Sequence, residues 1–199
     1  LVHPGHVRTQ GPVLGLAAGA FPDLVPLGLK NFYGLPVDAS DRDGPGNTAS
    51  INLQTDQRFY GQFMPDGVAS FTGADGKQYF IIANEGDDRD DFITPDETAR
   101  VSSLTLDSTA FPDAAVVKGN AELGRLTVSN APGNNGDTDG DGDVDRILAY
   151  GARSFSILNE DGVIVFDSGS QIEQFVAGRG LFSNASGSGL FDDTRSDNK

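Results

Sequence analysis

The chain has 199 residues with 29 acidic and 14 basic side chains, so its formal net charge is −15. This acidity argues against nucleic acid or an anionic membrane surface as a partner, because both need a positive protein face. It suits divalent cations and an extracellular environment. The absence of cysteine excludes disulfides and thiolate metal sites, and two histidines are too few for a multi-histidine zinc site. No apolar run approaches the roughly 20 residues of a membrane span, so none is expected.

The first part of the chain, residues 1–47, is predicted to be extended and rich in loops, because Gly-Pro, Phe-Pro and Val-Pro pairs interrupt it. After it come short segments rich in Val, Ile, Phe and Tyr, a pattern typical of antiparallel strands. One short helix is predicted near residues 171–176. We therefore expect one all-β domain over residues 1–199. The predicted strands cover residues 59–63, 68–71, 79–83, 101–106, 125–129, 147–150, 154–158 and 163–167.

Two predicted hairpins share the same turn signal. Asp75-Gly76 and Asp161-Gly162 each lie between two β-type segments, and Asp-Gly is a strong hairpin signal. The spacing between the turns, when halved, fits two propeller blades of roughly 40–45 residues each. Propellers usually have about 4–8 blades, so the sequence predicts part of a β-propeller with four-stranded antiparallel blades. The alternative is a chance similarity between two hairpins.

A calcium-binding loop is predicted at residues 137–145, where the sequence reads DTDGDGDVD. Calcium takes about six to eight oxygen ligands, and a loop that curls around the ion can supply carboxylates from alternate positions. Position 12 of the loop is Leu148, not the glutamate that closes an EF-hand, and the flanking sequence predicts strands. Without a cation the carboxylates would repel one another, although a solvated acidic turn is the alternative. The expected ligands are the carboxylates of Asp137, Asp139, Asp141 and Asp145 and the backbone carbonyl of Asp143.

A second set of polar residues follows the predicted strands. The strand of YFIIANEGDDRDDF ends in Asn84 and Glu85, Arg153 opens a later strand, and FDSGSQIE contains Asp167 and Glu173. Singly, each is more often part of a turn or a solvated ion pair. Together, acids and arginines at strand ends are what a pocket for metal and phosphate would need. Because histidine is scarce and no serine-hydrolase, Walker or HExxH motif occurs, metal-activated water would be the default mechanism of any enzyme here.

These segments together resemble the choice-of-anchor I family of secreted β-propeller proteins, which are related to alkaline phosphatase and phytase-like esterase domains. The resemblance covers about residues 38–199, and the motifs occur in the family's order. They are SDRDG, YGQFMPDGVASF, ANEGDDRDDF, GDTDGDGDVDRILAYGARSFSI, VFDSGSQIE and DDTRSDNK.

The resemblance implies a propeller fold, a secreted or cell-surface location and, in some members, phosphatase or nucleotidase activity. It also implies further blades, so the chain is expected to be an incomplete domain whose partner is the remaining propeller segment or another copy of itself. The resemblance also implies candidates for catalytic roles in the central channel, which are Asp66, Asn84, Glu85, Asp87, Arg89, Arg153, Asp167 and Glu173.

Two functions stay open on the sequence. The first is a calcium-binding propeller module at the cell surface, with a structural, adhesive or assembly role. The second is a calcium-dependent phosphoesterase that acts on phosphate esters, in which Arg89 and Arg153 would stabilise the charge of the phosphoryl group.

Overall fold

A computed structural model describes residues 25–86, 88 and 96–181, and these form two β-sheets with few helical residues. The helical elements are a 3-10 turn (Val101–Ser103), α1 (Ala114–Val117) and α2 (Gln171–Ala177). In chain order the strands are β1 (Leu29–Asn31), β2 (Tyr60–Gln62), β3 (Pro65–Thr72), β4 (Gln78–Asn84), β5 (Thr98–Arg100), β6 (Thr127–Ser129), β7 (Leu148–Ala149), β8 (Ser154–Leu158) and β9 (Ile164–Asp167).

The two sheets differ in connectivity. The first has the order β1-β2-β7-β6-β5, with a parallel pair β2–β7 and antiparallel pairs elsewhere. The second has the order β3-β4-β8-β9 and is antiparallel throughout. The all-β class is therefore confirmed for the part of the chain that the structure describes. These strands do not close into a ring or barrel, and the propeller stays a prediction.

The two Asp-Gly hairpins are confirmed, and they belong to one sheet. In the β3–β4 turn the Gly73 N–H donates to the Lys77 carbonyl at 2.8 Å, and in the β8–β9 turn the Asn159 N–H donates to the Val163 carbonyl at 3.0 Å. Strands β4 and β8 pair directly, with Ile82 opposite Ser156. The assignment of the hairpins to two separate blades is therefore wrong. The chain leaves the sheet after β4, forms β5–β7 of the other sheet, and returns at β8.

The hydrophobic core lies against the first sheet. The rings of Phe32 and Phe59 stack with centroids 4.4 Å apart, and both side chains are fully buried. Most other core side chains come from the segment between β4 and β8. They include Val101, Leu104, Leu106, Phe111, Val117, Leu123, Leu126, Val128, Val144, Ile147 and Ala149. This segment also carries the acidic loop, and Val144 of the loop belongs to the core.

One predicted strand is wrong. Residues 101–106 begin with a 3-10 turn, in which the Leu104 N–H donates to the Val101 carbonyl at 3.1 Å. Val101 and Leu104 are both buried, because a helical turn brings residues three apart to the same side. The predicted helix near residues 171–176 is confirmed as α2. Among the described residues, no helix has the length and apolar character needed to cross a membrane.

Candidate functional site

The acidic loop is closed at its base by Gly136. Its carbonyl accepts hydrogen bonds from the Asp145 and Arg146 N–H groups at 3.0 and 3.1 Å. The backbone of Gly136 has φ +88°, and a Cβ atom there would lie 1.9 Å from the Arg146 carbonyl oxygen. Only glycine therefore allows the two ends of the loop to approach this closely.

Three carboxylates of the loop converge. Asp137, Asp139 and Asp145 each place one carboxylate oxygen within 4.8 Å of the others. The Asp137 carboxylate also accepts hydrogen bonds from the Gly140 N–H at 2.6 Å and the Gly142 N–H at 3.1 Å. The loop thus curls around the side chain at its first position, as a cation-binding loop must.

A second acidic group shares Asp145 with the first. One carboxylate oxygen from each of Asp107, Asp143 and Asp145 lies within 4.8 Å of the others. Asp107 is held there because its N–H donates to the Val144 carbonyl at 3.1 Å. Asp143 Oδ1 is buried and has no hydrogen-bond partner among the described residues. Such a buried acceptor is costly unless a donor or cation satisfies it.

The observed geometry differs from the expected ligand set at two positions. Asp141 lies outside both acidic groups of the described structure; it is exposed, and its Oδ1 accepts a hydrogen bond from the Asp143 N–H at 3.1 Å. One carboxylate oxygen of Asp143 lies within 4.8 Å of carboxylate oxygens of Asp107 and Asp145, whereas only the backbone carbonyl of Asp143 was expected to be a ligand. Asp107 was not predicted, because a lone aspartate far from the motif gives no signal until the pairing of Leu106 with Val144 brings it close.

The pKa values of the loop carboxyls depend on their hydrogen bonds and on the charges of their neighbours. Burial raises the pKa of Asp143, and the charges of Asp141 and Asp107 raise it further. A hydrogen bond from the Asp141 backbone would lower the pKa of Asp139, but burial and the neighbouring carboxylates outweigh it and raise the pKa. Hydrogen bonds from Thr138 lower the pKa of Asp145. The loop therefore concentrates negative charge that a cation would neutralise.

The second polar set surrounds a cavity at the end of β4. Its volume is about 290 Å³. Five of the predicted channel residues line it, together with Ala83, Ser154 and Ile172; the five are Asp66, Asn84, Glu85, Arg153 and Glu173. The predicted residues Asp87 and Arg89 lie outside the described residues. The structure thus brings most of the described candidates together, and their catalytic role stays a prediction.

Arg153 is held in a buried ion pair at the wall of this cavity. Its Nη1 donates to Glu173 Oε1 at 2.7 Å and to the Asp38 carbonyl at 2.8 Å. The side chains of Arg153 and Glu173 are 5% and 2% exposed. Arg153 also has φ +48°, a left-handed conformation that costs energy for a residue with a side chain.

Asp167 does not line the cavity. It is linked to Asn84 through Ser154 and Ser156. Its Oδ2 accepts hydrogen bonds from the Ser154 and Ser156 hydroxyls, both at 2.7 Å. The same two hydroxyl oxygens accept hydrogen bonds from Asn84 Nδ2 at 3.2 and 2.8 Å. Strand pairing produces this arrangement, because Asn84 lies opposite Ser154 and Ser156 lies opposite Asp167 on the same face of the sheet.

Lys30 completes the network from the other sheet. Its Nζ lies 3.0 Å from Asp167 Oδ1 and donates to the carbonyls of Ala152 and Gly169 at 2.7 Å. Burial lowers the pKa of Lys30, although the charge of Asp167 opposes this. Burial alone would raise the pKa of Asp167, but the serine hydroxyls and Lys30 together lower it. Lys30 was not predicted, since a single lysine in a loop-rich segment looks solvent-exposed.

Comparison with known proteins gives one family and one relative. A mesenchyme-specific cell surface glycoprotein of Strongylocentrotus purpuratus is 38% identical over 64 residues, which are 32% of this chain and 8% of that protein. The chain thus spans a small part of this relative's length. No solved structure matches the chain significantly. The profile of the choice-of-anchor I domain matches residues 12–199, so the chain belongs to the choice-of-anchor I domain family.

Proposed function

We propose that this chain is a calcium-binding module of an extracellular or cell-surface protein, with a structural and adhesive role. The observation that carries the proposal is the convergence of Asp137, Asp139 and Asp145, with Asp107 and Asp143 grouped around the shared Asp145. Family membership and the name of the sea-urchin relative, a cell surface glycoprotein, support the surface location.

Calcium fits this donor set better than zinc or magnesium. All the converging side chains are carboxylates, whereas structural zinc sites use cysteine and histidine. Magnesium demands near-ideal octahedral geometry and keeps several waters, while calcium accepts six to eight oxygens in a flexible arrangement. A curled loop with many carboxylates matches the preference of calcium.

The bound ion would act as a cross-link. The loop lies between β6 and β7, and Asp107 lies on a separate segment that pairs with Val144. An ion held by Asp107, Asp143 and Asp145 would join these two segments and remove the repulsion among the carboxylates. We expect this to stabilise the segment between β4 and β8, and with it the core.

We also propose that the sheet β3-β4-β8-β9 is one blade of a propeller. One face of this sheet carries Phe71, Tyr79, Phe155 and Phe166, in two ring pairs with centroids 5.6 and 5.7 Å apart. Phe71 and Phe166 are 42% and 41% exposed. An exposed apolar face of this kind is typical of a surface that packs against another element. A neighbouring blade, from the same protein or from another copy, is the occupant that a propeller would supply.

The phosphoesterase alternative has weaker support. In that alternative Arg153 would stabilise the charge of the phosphoryl group, yet its guanidinium already donates to Glu173 and to the Asp38 carbonyl. We therefore favour the structural and adhesive role.

Thermal unfolding with calcium and with a chelator tests the calcium proposal. Calcium should raise the melting temperature of the wild-type protein, because an ion that binds only the folded state stabilises it. The Asp145→Asn variant should lose most of this effect, and Asp161→Asn, at an exposed turn, should keep it. A melting temperature unaffected by calcium in the wild type would contradict the proposal.

A further inference from the structure

The cavity beside β4 contains a buried acceptor whose orientation is fixed. The hydroxyls of Ser154 and Ser156 each have one hydrogen, and each donates it to Asp167 Oδ2. Their oxygens can then only accept from Asn84. The amide nitrogen of Asn84 must therefore face the serines, at 3.2 and 2.8 Å, and its carbonyl oxygen must point away from them.

This carbonyl oxygen has no partner in the part of the chain that the structure describes. Asn84 lines the cavity and is 5% exposed, and its Oδ1 is buried with no hydrogen-bond partner among the described residues. A buried acceptor in this state destabilises the protein unless a donor satisfies it. A hydrogen-bond donor that enters the cavity would remove this destabilisation.

The charges around Asn84 select a cationic donor. Asp66, Glu85 and Glu173 line the cavity with Arg153 as the basic residue. Glu173 and Arg153 are paired with each other, so the carboxylates of Asp66 and Glu85, both on exposed residues, set a net negative potential at the entrance. An anion such as a phosphate ester would be repelled by this potential.

The residues that line the cavity favour a guanidinium over a compact ion. Asp66, Glu85 and Glu173 do not form a group of three within ligating distance in the described structure, so the carboxylates are not arranged around one metal position. A guanidinium has five donors in a planar fork and can reach a carbonyl and a carboxylate at once. The apolar wall of Ala83 and Ile172 would accommodate the aliphatic stem of an arginine.

We propose that this cavity binds an arginine side chain of a partner polypeptide. The guanidinium donates to Asn84 Oδ1 at the base of the cavity and to Asp66 and Glu85 at its entrance. The proposal is independent of calcium binding, because none of these residues belongs to the two acidic groups of the loop. It specifies the chemistry of a partner that an adhesive module would recognise.

Titration with a model ligand tests this proposal. The probe is N-acetyl-L-arginine amide, and the control probe is N-acetyl-L-citrulline amide, which has nearly the same shape but carries no charge. Chemical shifts of the uniformly ¹⁵N-labelled full chain, including the side-chain NH₂ group of Asn84, report binding at the cavity. We expect saturable binding of the arginine amide, about tenfold tighter than that of the citrulline amide.

Variants locate the site without disturbing the buried network. Glu85→Gln and Asp66→Asn should each lower the affinity for the arginine amide about threefold or more. Asp161→Asn removes the same charge from the exposed β8–β9 turn and should leave affinity unchanged. Equal affinity for both amides, equal effects of all three variants, or no saturable shifts up to about 10 mM ligand would each overturn the proposal.

Discussion

The ammonium of Lys30 lies 3.0 Å from the carboxylate of Asp167 and joins the two sheets of the fold. Lys30 belongs to β1 of the first sheet, and Asp167 ends β9 of the second. The Lys30 side chain is 6% exposed and that of Asp167 is 20% exposed. The same carboxylate orients Ser154 and Ser156, so this ion pair connects sheet packing to the geometry of the cavity.

Removing the charge of Lys30 should strongly destabilise the protein. Lys30→Met keeps most of the side-chain volume but removes the ammonium that neutralises Asp167 and donates to two carbonyls, and breaking a buried pair costs about 3 kcal/mol or more. Urea unfolding measures this loss. Lys77→Met, in the exposed β3–β4 turn, is the control and should change the free energy of unfolding by less than about 0.5 kcal/mol. Similar effects of both variants would contradict a structural role for the ion pair.

Asp38 should make the protein less stable as the pH rises. Burial raises its pKa to about 7; the hydrogen bond from the Asn52 N–H and the charge of Arg153 oppose this rise, and the charges of Asp43 and Glu173 add to it. In the unfolded chain its pKa is about 3.9. The folded state therefore binds more protons than the unfolded state between these values, and stability falls by about 1 kcal/mol per pH unit in that window.

Removing the titrating group tests this pH dependence. The free energy of unfolding of wild type and Asp38→Asn is compared at about pH 5 and about pH 7 in chelator. The variant should lose much of the fall in stability with pH, whereas the exposed control Asp56→Asn should retain it. An identical pH profile for all three proteins would refute the role of Asp38.

Substitution by alanine should have different effects at two glycines of the acidic loop. Gly136 and Gly140 both have positive φ, but a Cβ at Gly136 would collide with the Arg146 carbonyl, while nothing lies within 4 Å of one at Gly140. Gly140→Ala should cost about 1–2 kcal/mol from the left-handed backbone alone. Gly136→Ala should cost more and should also abolish calcium binding. Chemical unfolding measures the stability of both variants, and calorimetry measures their calcium binding. Equal losses of stability and of calcium binding in the two variants would contradict the role of Gly136 in closing the loop.

The apolar face of the second sheet should cause self-association when no neighbouring blade covers it. Sedimentation velocity of the wild type should show larger species as concentration increases, and Phe166→Asp should remain monomeric. Val116→Asp alters a residue that is 60% exposed in α1 and should leave association unchanged. A wild type that stays monomeric up to about 100 µM would count against a docking role for this face.

Local signals in the sequence predicted most of the elements, and pairing over long distances explains what was missed. Asp75-Gly76 and Asp161-Gly162 encode their turns within a few residues, so both hairpins were predictable. The pairing of β4 with β8 depends on the whole intervening segment, and spacing alone wrongly suggested separate blades. The strand predicted at residues 101–106 was wrong because a short apolar segment has no period that separates a strand from a buried turn.

In the candidate sites, too, local patterns were predictable and contacts between distant segments were not. The acidic loop was predictable because its carboxylates lie at alternate positions in one segment, yet Asp107 joins them through a backbone pairing that sequence spacing does not encode. Asn84, Glu85, Arg153 and Glu173 were selected as residues near strand ends, and they do line one cavity. The partners of Arg153 could not be predicted, so its ion pair with a buried glutamate was not expected.

Isothermal titration of calcium into metal-free protein tests the central claim most directly. The wild type should bind calcium saturably. Asp145→Asn, which removes a carboxylate shared by both acidic groups, should lower affinity at least about tenfold, and Asp107→Asn should also lower it. Asp141→Asn removes one charge from the same loop but from neither group, so its effect should be the smallest, below about threefold. No saturable heat in the wild type, or a loss for Asp141→Asn as large as for Asp145→Asn, would contradict the calcium site described by these residues.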